Sequence, residues 1–281
     1  MTTTGFDTQV AAGERFEFGE NWTRFLRVLD DERIAEAEAS LRAMLGRSRL
    51  TGLSFVDAGS GSGLFSLAAA RLGAERVHSF DYDPSSVACT EELRRRYSPV
   101  GVTWTIDRGS VLDSDYLASL GTFDVVYSWG VLHHTGNMWA AIDNVAGLVG
   151  QGGLLFISIY NDQGRRSRMW RRIKRVYNEL PESARKPYVV AVMAPREALS
   201  AALLTVRGRP RDYVRAWTDY KLRRGMSRWH DLVDWVGGYP FEVAAPEAVF
   251  DRLHARGFNL ERLKTCGGGI GCNQFVFARV D

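Results

Sequence analysis

From Leu53 to Tyr160 the chain alternates short apolar runs with stretches whose apolar positions recur at helical spacing. The runs predict strands at Leu53–Asp57, Arg76–Phe80, Val102–Ile106, Phe123–Ser128 and Leu154–Tyr160. Between them the spacing predicts helices over Leu64–Leu72, Ser85–Tyr97, Ser114–Leu120 and Met138–Val149. Runs such as Val125-Val126-Tyr127 lack a polar side, as a parallel strand buried on both faces requires. Strands and helices in alternation, joined by right-handed crossovers, give a doubly wound α/β sheet.

The rhythm breaks at Asn161. From there to Ala245 the chain reads mostly helical, is rich in Arg and Trp, and is punctuated by Pro181, Pro187, Pro195, Pro210 and Pro240. Then it resumes. Pro246–Arg256 predicts a helix with Pro in its first turn, and Leu260–Cys266 and Asn273–Val280 predict two strands joined by a glycine-rich loop at Gly267–Gly271. The expected fold is therefore a Rossmann-like, seven-stranded, mostly parallel sheet with a helical insertion, or lid, after the fifth strand. Residues 1–50 form a helical lead-in, residues 51–160 and 246–281 the core, and residues 161–245 the insertion.

Composition adds little until charge is divided. The 281 residues are 45% hydrophobic and 25% charged, which excludes wholesale disorder. A net charge of +3 conceals 18 Lys/Arg against 9 Asp/Glu in residues 161–245, and 18 against 24 elsewhere. The run Arg165–Arg175, with Trp170 and Tyr177 beside it, has the cations and stacking rings of an RNA-binding face. It also reads as an amphipathic helix with Met169, Ile173, Val176 and Leu180 inward, or as a field steering a small anionic substrate. Three cysteines make no disulfide framework, and reduced thiols in a cytoplasmic protein are expected. The start has no basic, apolar leader pattern. The most lipid-like stretch, Tyr188 to Val206, is interrupted by Pro195, Arg196 and Glu197, so no membrane span is expected.

Chemistry concentrates at Phe55-Val-Asp-Ala-Gly-Ser-Gly-Ser-Gly63, which follows a strand and opens a helix. Glycines there let a ligand lie against bare peptide N–H groups at a helix N-terminus. Asp57 precedes the glycines, and Asp81 closes the next strand, placed to accept two ribose hydroxyls. A nicotinamide-binding turn is the rival reading, but its third glycine falls one residue later, where this chain has Leu64.

Together with Phe80-Asp81-Tyr82-Asp83-Pro84, Phe123–Ser128, Val131-Leu132-His133-His134 and Gly152-Gly153-Leu154-Leu155, this segment resembles the class I S-adenosylmethionine-dependent methyltransferases. The flanks Phe18–Trp22 and Gly225–Asp231 look like a bacterial subgroup of that superfamily that acts on small molecules. The resemblance implies that Asp57 and the Gly59, Ser60, Gly61 and Gly63 turn hold the methionine end of S-adenosyl-L-methionine. It implies that Asp81 takes the ribose hydroxyls, with Tyr82 beside the adenine. The family often has Asp where this chain has Ser110, so the adenine contact falls to Ser110, a backbone carbonyl near Val111, or Asp113. Asp113 reads equally well as a helix N-cap. Ser128 and Trp129 would lie beside the sulfonium, and Trp22, in a turn-like entry segment, suits a cover.

For the reaction itself, His133 is the leading candidate for base or substrate anchor, with Tyr160 beside it. His230 would close from the insertion, oriented by Asp231 or Asp234. The chain has no Asn/Asp-Pro-Pro-aromatic motif of amine-methylating nucleobase enzymes, no Pro-Cys nucleophile and no legible metal cluster. The expectation is metal-independent methyl transfer to a small organic acceptor, which the tryptophans suit if it is aromatic. An RNA methyltransferase using the basic insertion and a non-catalytic adenosyl-binding protein are the alternatives.

Overall fold

The computed structural model describes residues 5–218, 228–269 and 271–280. Its strands are β1 (Ser54–Ala58), β2 (Arg76–Asp81), β3 (Thr103–Arg108), β4 (Phe123–Trp129), β5 (Val149–Tyr160), β6 (Phe258–Lys264) and β7 (Cys272–Arg279). They form one sheet in the order β3-β2-β1-β4-β5-β7-β6. The first five run parallel, and β7 runs antiparallel between β5 and β6. Strand order reverses between β1 and β4, which opens a crevice at their carboxyl ends.

Two layers of helices cover the sheet because successive strand side chains point to opposite faces. Phe55, Val77, Val125 and Phe156 pack on one face under α3 (Asp31–Leu45), α4 (Leu64–Arg71) and α5 (Pro84–Tyr97). Their neighbours Val56, Val126, Leu155 and Ile157 pack on the other, under α6 (Ser114–Leu120), α7 (Met138–Gly147) and a late helix, Pro246–His254. The helix starts are written in the sequence. Asp30, Asp83 and Asp113 each accept a first-turn backbone N–H, from Arg33, Ser85 and Tyr116, so Asp113 is a cap. Gly46 ends α3 in the left-handed conformation. Ahead of α3 lie α1 (Phe6–Ala11) and α2 (Gly19–Leu26).

After β5 come α8 (Arg165–Glu179), α9 (Glu182–Val206), α10 (Pro210–Thr218) and α11 (Arg228–Gly237), and then α12, the Pro246–His254 helix. Tyr177, Val189, Met193, Leu232 and Val236 form a separate small core among them. Gly225, Met226 and Ser227 of one flanking motif, and Ile270 of the glycine loop, lie outside the described residues.

Two expectations are corrected in this region. Met169 and Val176 are exposed rather than inward; α8 buries Ser167, Lys174, Tyr177 and Asn178 instead. The helix is turned because Lys174 finds compensation inside. Its ammonium bonds the Trp235 carbonyl and lies 4.9 and 5.0 Å from the Trp235 and Phe241 ring centres. Burial lowers its pKa to about 7. The second correction concerns only the interruption expected within Tyr188–Val206: α9 runs unbroken through Pro187 and Pro195. By length and composition alone it is long and apolar enough to cross a membrane. Glu197 does not interrupt it, because it turns inward to pair with Arg228 at 2.8 Å.

Candidate functional site

The glycine turn after β1 is built by backbone conformation. Gly59, Gly61 and Gly63 have φ of +88°, +54° and +77°, the region that side chains strain against. Gly59 and Ser60 donate their N–H groups to the Phe80 carbonyl at 2.8 and 3.1 Å, which locks the turn to β2. A Cβ on Gly59 would lie 2.4 Å from the Val131 side chain, so no larger residue fits.

Two carboxylates face this turn. Asp81 accepts the Gly61 N–H on Oδ2 and the Asp83 N–H on Oδ1, both at 2.9 Å. Each oxygen keeps lone-pair capacity for a ligand hydroxyl. Asp57 accepts the Ser66 hydroxyl at 2.6 Å, Ser66 accepts from Ser79 at 2.7 Å, and Ser79 accepts from the Trp104 indole at 2.8 Å. An indole N–H only donates, so the relay runs one way and delivers its last proton to Asp57. Burial raises Asp57 to about 7, with the Asp81 charge adding to the rise, and raises Asp81 to about 6.

The lead-in closes over these groups. Gly19 donates to Asp83 at 2.8 Å, and Phe6 meets Tyr82 edge-on at 5.5 Å. The Arg15 guanidinium stands 5.2 Å over the Tyr82 ring and donates to the His134 carbonyl at 3.1 Å. Trp22 lies against Gly61, where a Cβ would come within 2.9 Å of the indole.

One cavity of about 970 Å³ results. At one end its walls include Asp57, Gly59, Gly61, Asp81, Tyr82 and Ser110. At the other they include Trp129, His134, Tyr160, Trp170 and Trp235. That volume sits near the top of the ~300–1,000 Å³ range of small-molecule sites.

Most of the residues expected from sequence meet in this cavity: Trp22, Asp57, Gly59, Ser60, Gly61, Asp81, Tyr82, Ser110, Val111, Trp129 and Tyr160 all line it. Four do not. Gly63 instead caps α4 and packs on Thr90. Ser128 is fully buried and donates to the Ala58 carbonyl at 2.7 Å, fastening β4 to β1. His133 is fully buried, its ring 4.0 Å from that of Tyr160. His230 sits on α11, whose Asp231 and Asp234 reach the cavity wall in its place.

Residues that sequence reasoning set behind His133, or did not assign to the site, complete the walls. His134 lines the cavity and holds its Nδ1 2.6 Å from the Pro240 carbonyl, so Nδ1 carries the proton and Nε2 the lone pair. Burial, with Lys174 nearby, lowers its pKa to about 3 and keeps it neutral. Tyr127, also in the wall, has a buried hydroxyl with no hydrogen-bond partner among the described residues, and the Trp235 indole N–H is in the same position. Such orphaned groups in a ligand-sized cavity are what a bound molecule satisfies. The cradle thus fits S-adenosylmethionine, with bare peptide at the glycines, a diol-accepting carboxylate and unspent polar groups.

Residues 56–155 match the family described as "Methyltransferase domain". A ribosomal protein L11 methyltransferase of Anoxybacillus flavithermus is 32% identical over 117 residues, 37% of each chain. A ubiquinone biosynthesis O-methyltransferase of Methylocella silvestris is 34% identical over 112 residues, 40% of this chain and 41% of that one. The similarity thus spans about two-fifths of the length of these curated relatives. Among solved structures, magnesium protoporphyrin IX methyltransferase of Synechocystis PCC 6803, with bound SAH, superposes with a TM-score of 0.52 at 16% identity, covering 92% of this chain and 94% of that one. That likeness is one of fold. The strand order, the glycine cradle and the family match fall on the same stretch, and residues 56–155 are a methyltransferase domain.

Proposed function

We propose that the chain transfers a methyl group from S-adenosylmethionine to a small organic acceptor held at the aromatic end of the cavity. The observation that carries this is continuity: the Asp81 cradle and the Trp129–Tyr160–Trp235 walls bound one space. When bound, S-adenosylmethionine supplies an electrophilic methyl group on a positively charged sulfur.

The chain's own residues bind, orient and exclude water. Asp81 accepts the ribose hydroxyls, Ser110 and Val111 flank the base, and Asp57 with the Tyr127 hydroxyl faces the amino-acid end. Trp129 offers an aromatic face to the cation, a contact worth about 0.5–2 kcal/mol. The lead-in and α8, α9 and α11 cover the acceptor end as a lid.

His134 takes the role expected of His133. With Nδ1 committed to Pro240, its Nε2 accepts a hydrogen bond from an acceptor O–H or N–H and orients the nucleophile. A ring with a pKa near 3 is a poor base, so this is orientation rather than deprotonation. Burial also pushes the Tyr160 phenol well up, so it stays protonated and donates. His134→Phe is expected to lower kcat about tenfold or more while the cofactor Kd holds. Steady-state kinetics beside calorimetric titration separates the two, and an unchanged kcat would remove His134 from the acceptor site.

The relatives are named for different acceptors, ribosomal protein L11 in one case and a step of ubiquinone biosynthesis in the other, and the similarity spans about two-fifths of their length. The acceptor is therefore read from the cavity. Methyl-labelled S-adenosylmethionine and a bacterial extract, fractionated by size and nuclease sensitivity, test it. Label in small, nuclease-resistant material is the expected result. Label in a nuclease-sensitive polymer would shift the acceptor to RNA held by the exposed arginines of α8. Label in protein would shift it to a polypeptide.

A further inference from the structure

Helix α9 has one committed face and one open face. Inward, Val189 and Met193 are buried, Tyr188 donates to the Ile173 carbonyl at 3.2 Å, and Glu197 pairs with Arg228 and accepts from Tyr213. Outward, the exposed positions between residues 187 and 206 are apolar apart from Arg196 and Thr205. Val190, Ala194, the adjacent pair Ala198 and Leu199, Leu203 and Val206 recur at helical spacing along that side. Leu199 is 60% exposed and Val206 87% exposed. At 1.5 Å per residue the stripe is about 30 Å long, and isolated surface leucines do not account for it.

The charges around the stripe point to its occupant. Lys186 precedes the stripe and exposed Arg207 follows it, and α10, which folds back so that Tyr213 reaches Glu197, exposes Arg211, Val214 and Arg215. The surrounding segment, residues 161–245, carries 18 Lys/Arg against 9 Asp/Glu. A second copy of this chain would bring a like-charged rim against this one. RNA would meet an aliphatic face without stacking rings. A span across the bilayer would strip the inward face of its packing and place the Glu197–Arg228 pair in hydrocarbon. A helix lying in the plane of an anionic bilayer satisfies both features. Its aliphatic face enters the acyl boundary, and the arginines snorkel to the headgroups.

We propose that the outward face of α9, with the exposed cations of the basic segment around it, docks the protein onto anionic phospholipid membranes. This stands apart from methyl transfer, since docking needs neither cofactor nor acceptor. Arg196, on the same helix, also lines the cavity, so docking brings the site to the bilayer surface.

Co-sedimentation with phosphatidylcholine vesicles, with and without phosphatidylglycerol, tests it on the full chain. Binding to the anionic vesicles is expected to exceed that to neutral ones by at least tenfold and to fall as salt rises. The double substitution Leu199→Asp with Leu203→Asp is expected to abolish it at least tenfold. Both positions are exposed, so melting temperature and cofactor affinity should hold, which separates lost docking from lost folding. Equal pelleting of wild type and variant, or no pelleting of wild type, would overturn the proposal. So would a dimer by light scattering that the double substitution splits, or tRNA binding that it abolishes while vesicles are ignored.

Discussion

Asp81→Ala is expected to weaken S-adenosylmethionine binding by about ten- to a hundredfold. A hydrogen bond to a charged group contributes about 1.5–3 kcal/mol, and about 1.4 kcal/mol is a factor of ten in affinity. The loss has two sources. The ribose hydroxyls lose a charged acceptor, and the Gly61 and Asp83 N–H groups lose the oxygens they hold at 2.9 Å. The second loss loosens the glycine turn itself, so the effect should exceed that of one missing hydroxyl contact. Asp81→Asn separates the two: one carboxamide oxygen remains to accept, while the charge is gone. Calorimetric titration should rank wild type above Asn and Asn above Ala. An unchanged dissociation constant for Asp81→Ala would take the ribose out of this cradle and undo the assignment of the whole turn.

The cradle was readable before any coordinates because its signal is short-range. A strand, a glycine turn, a helix start and an acid closing the next strand are each local patterns, and the parallel sheet brings them together by its connectivity alone. The strands were legible for a similar reason. Central strands such as β4 and β5 are apolar on both faces, so little else competes for those runs.

Where expectation and structure part, a tertiary contact or a one-residue turn decides. His133 and His134 are adjacent, and a 3-10 turn at Leu132–His134 rotates one under Tyr160 and the other into the cavity. No periodicity separates neighbours within a single turn. Ser128 and Trp129 show the converse, since strand alternation sends one inward and the other out, which the pattern of β4 could have told. The turned face of α8 rests on Lys174, a residue that pattern reading assigns to solvent. It is buried because Trp235 and Phe241, some 60 residues away, surround its ammonium. The uninterrupted run of α9 is the same kind of case. Glu197 breaks an apolar pattern on paper, while its partner Arg228 removes it from the outer surface in space.

Asp57→Asn should make the protein without cofactor more stable and bind cofactor less well. The buried carboxyl is raised from 3.8 to about 7 by burial, against the bond it accepts from Ser66. Below about pH 4 native and unfolded chains both hold the proton. Between there and about pH 7 the unfolded chain releases it while the native chain keeps it, so native stability falls as pH rises. Above that range the cost levels off at roughly 4 kcal/mol, at about 1.4 kcal/mol per pH unit. Asparagine has no proton to release and still offers an oxygen to Ser66, so the cost vanishes with the charge. The substituted protein is therefore expected to melt several degrees above wild type at pH 8, with the gap closing toward pH 4. Cofactor binding should show the opposite sign. A bound cation favours the ionised carboxylate, so wild-type affinity should strengthen as pH rises from 5 to 8, and the Asp57→Asn affinity should be weaker and flatter. Thermal melts at several pH values, beside titrations in the same buffers, read both quantities. A substituted protein that melts no higher than wild type at pH 8 would mean that Asp57 is not a buried charge held for a ligand. The stability that this residue gives up in the absence of ligand is recovered when a cation arrives, and that exchange is what a binding carboxylate facing a one-way relay of donors is built to make.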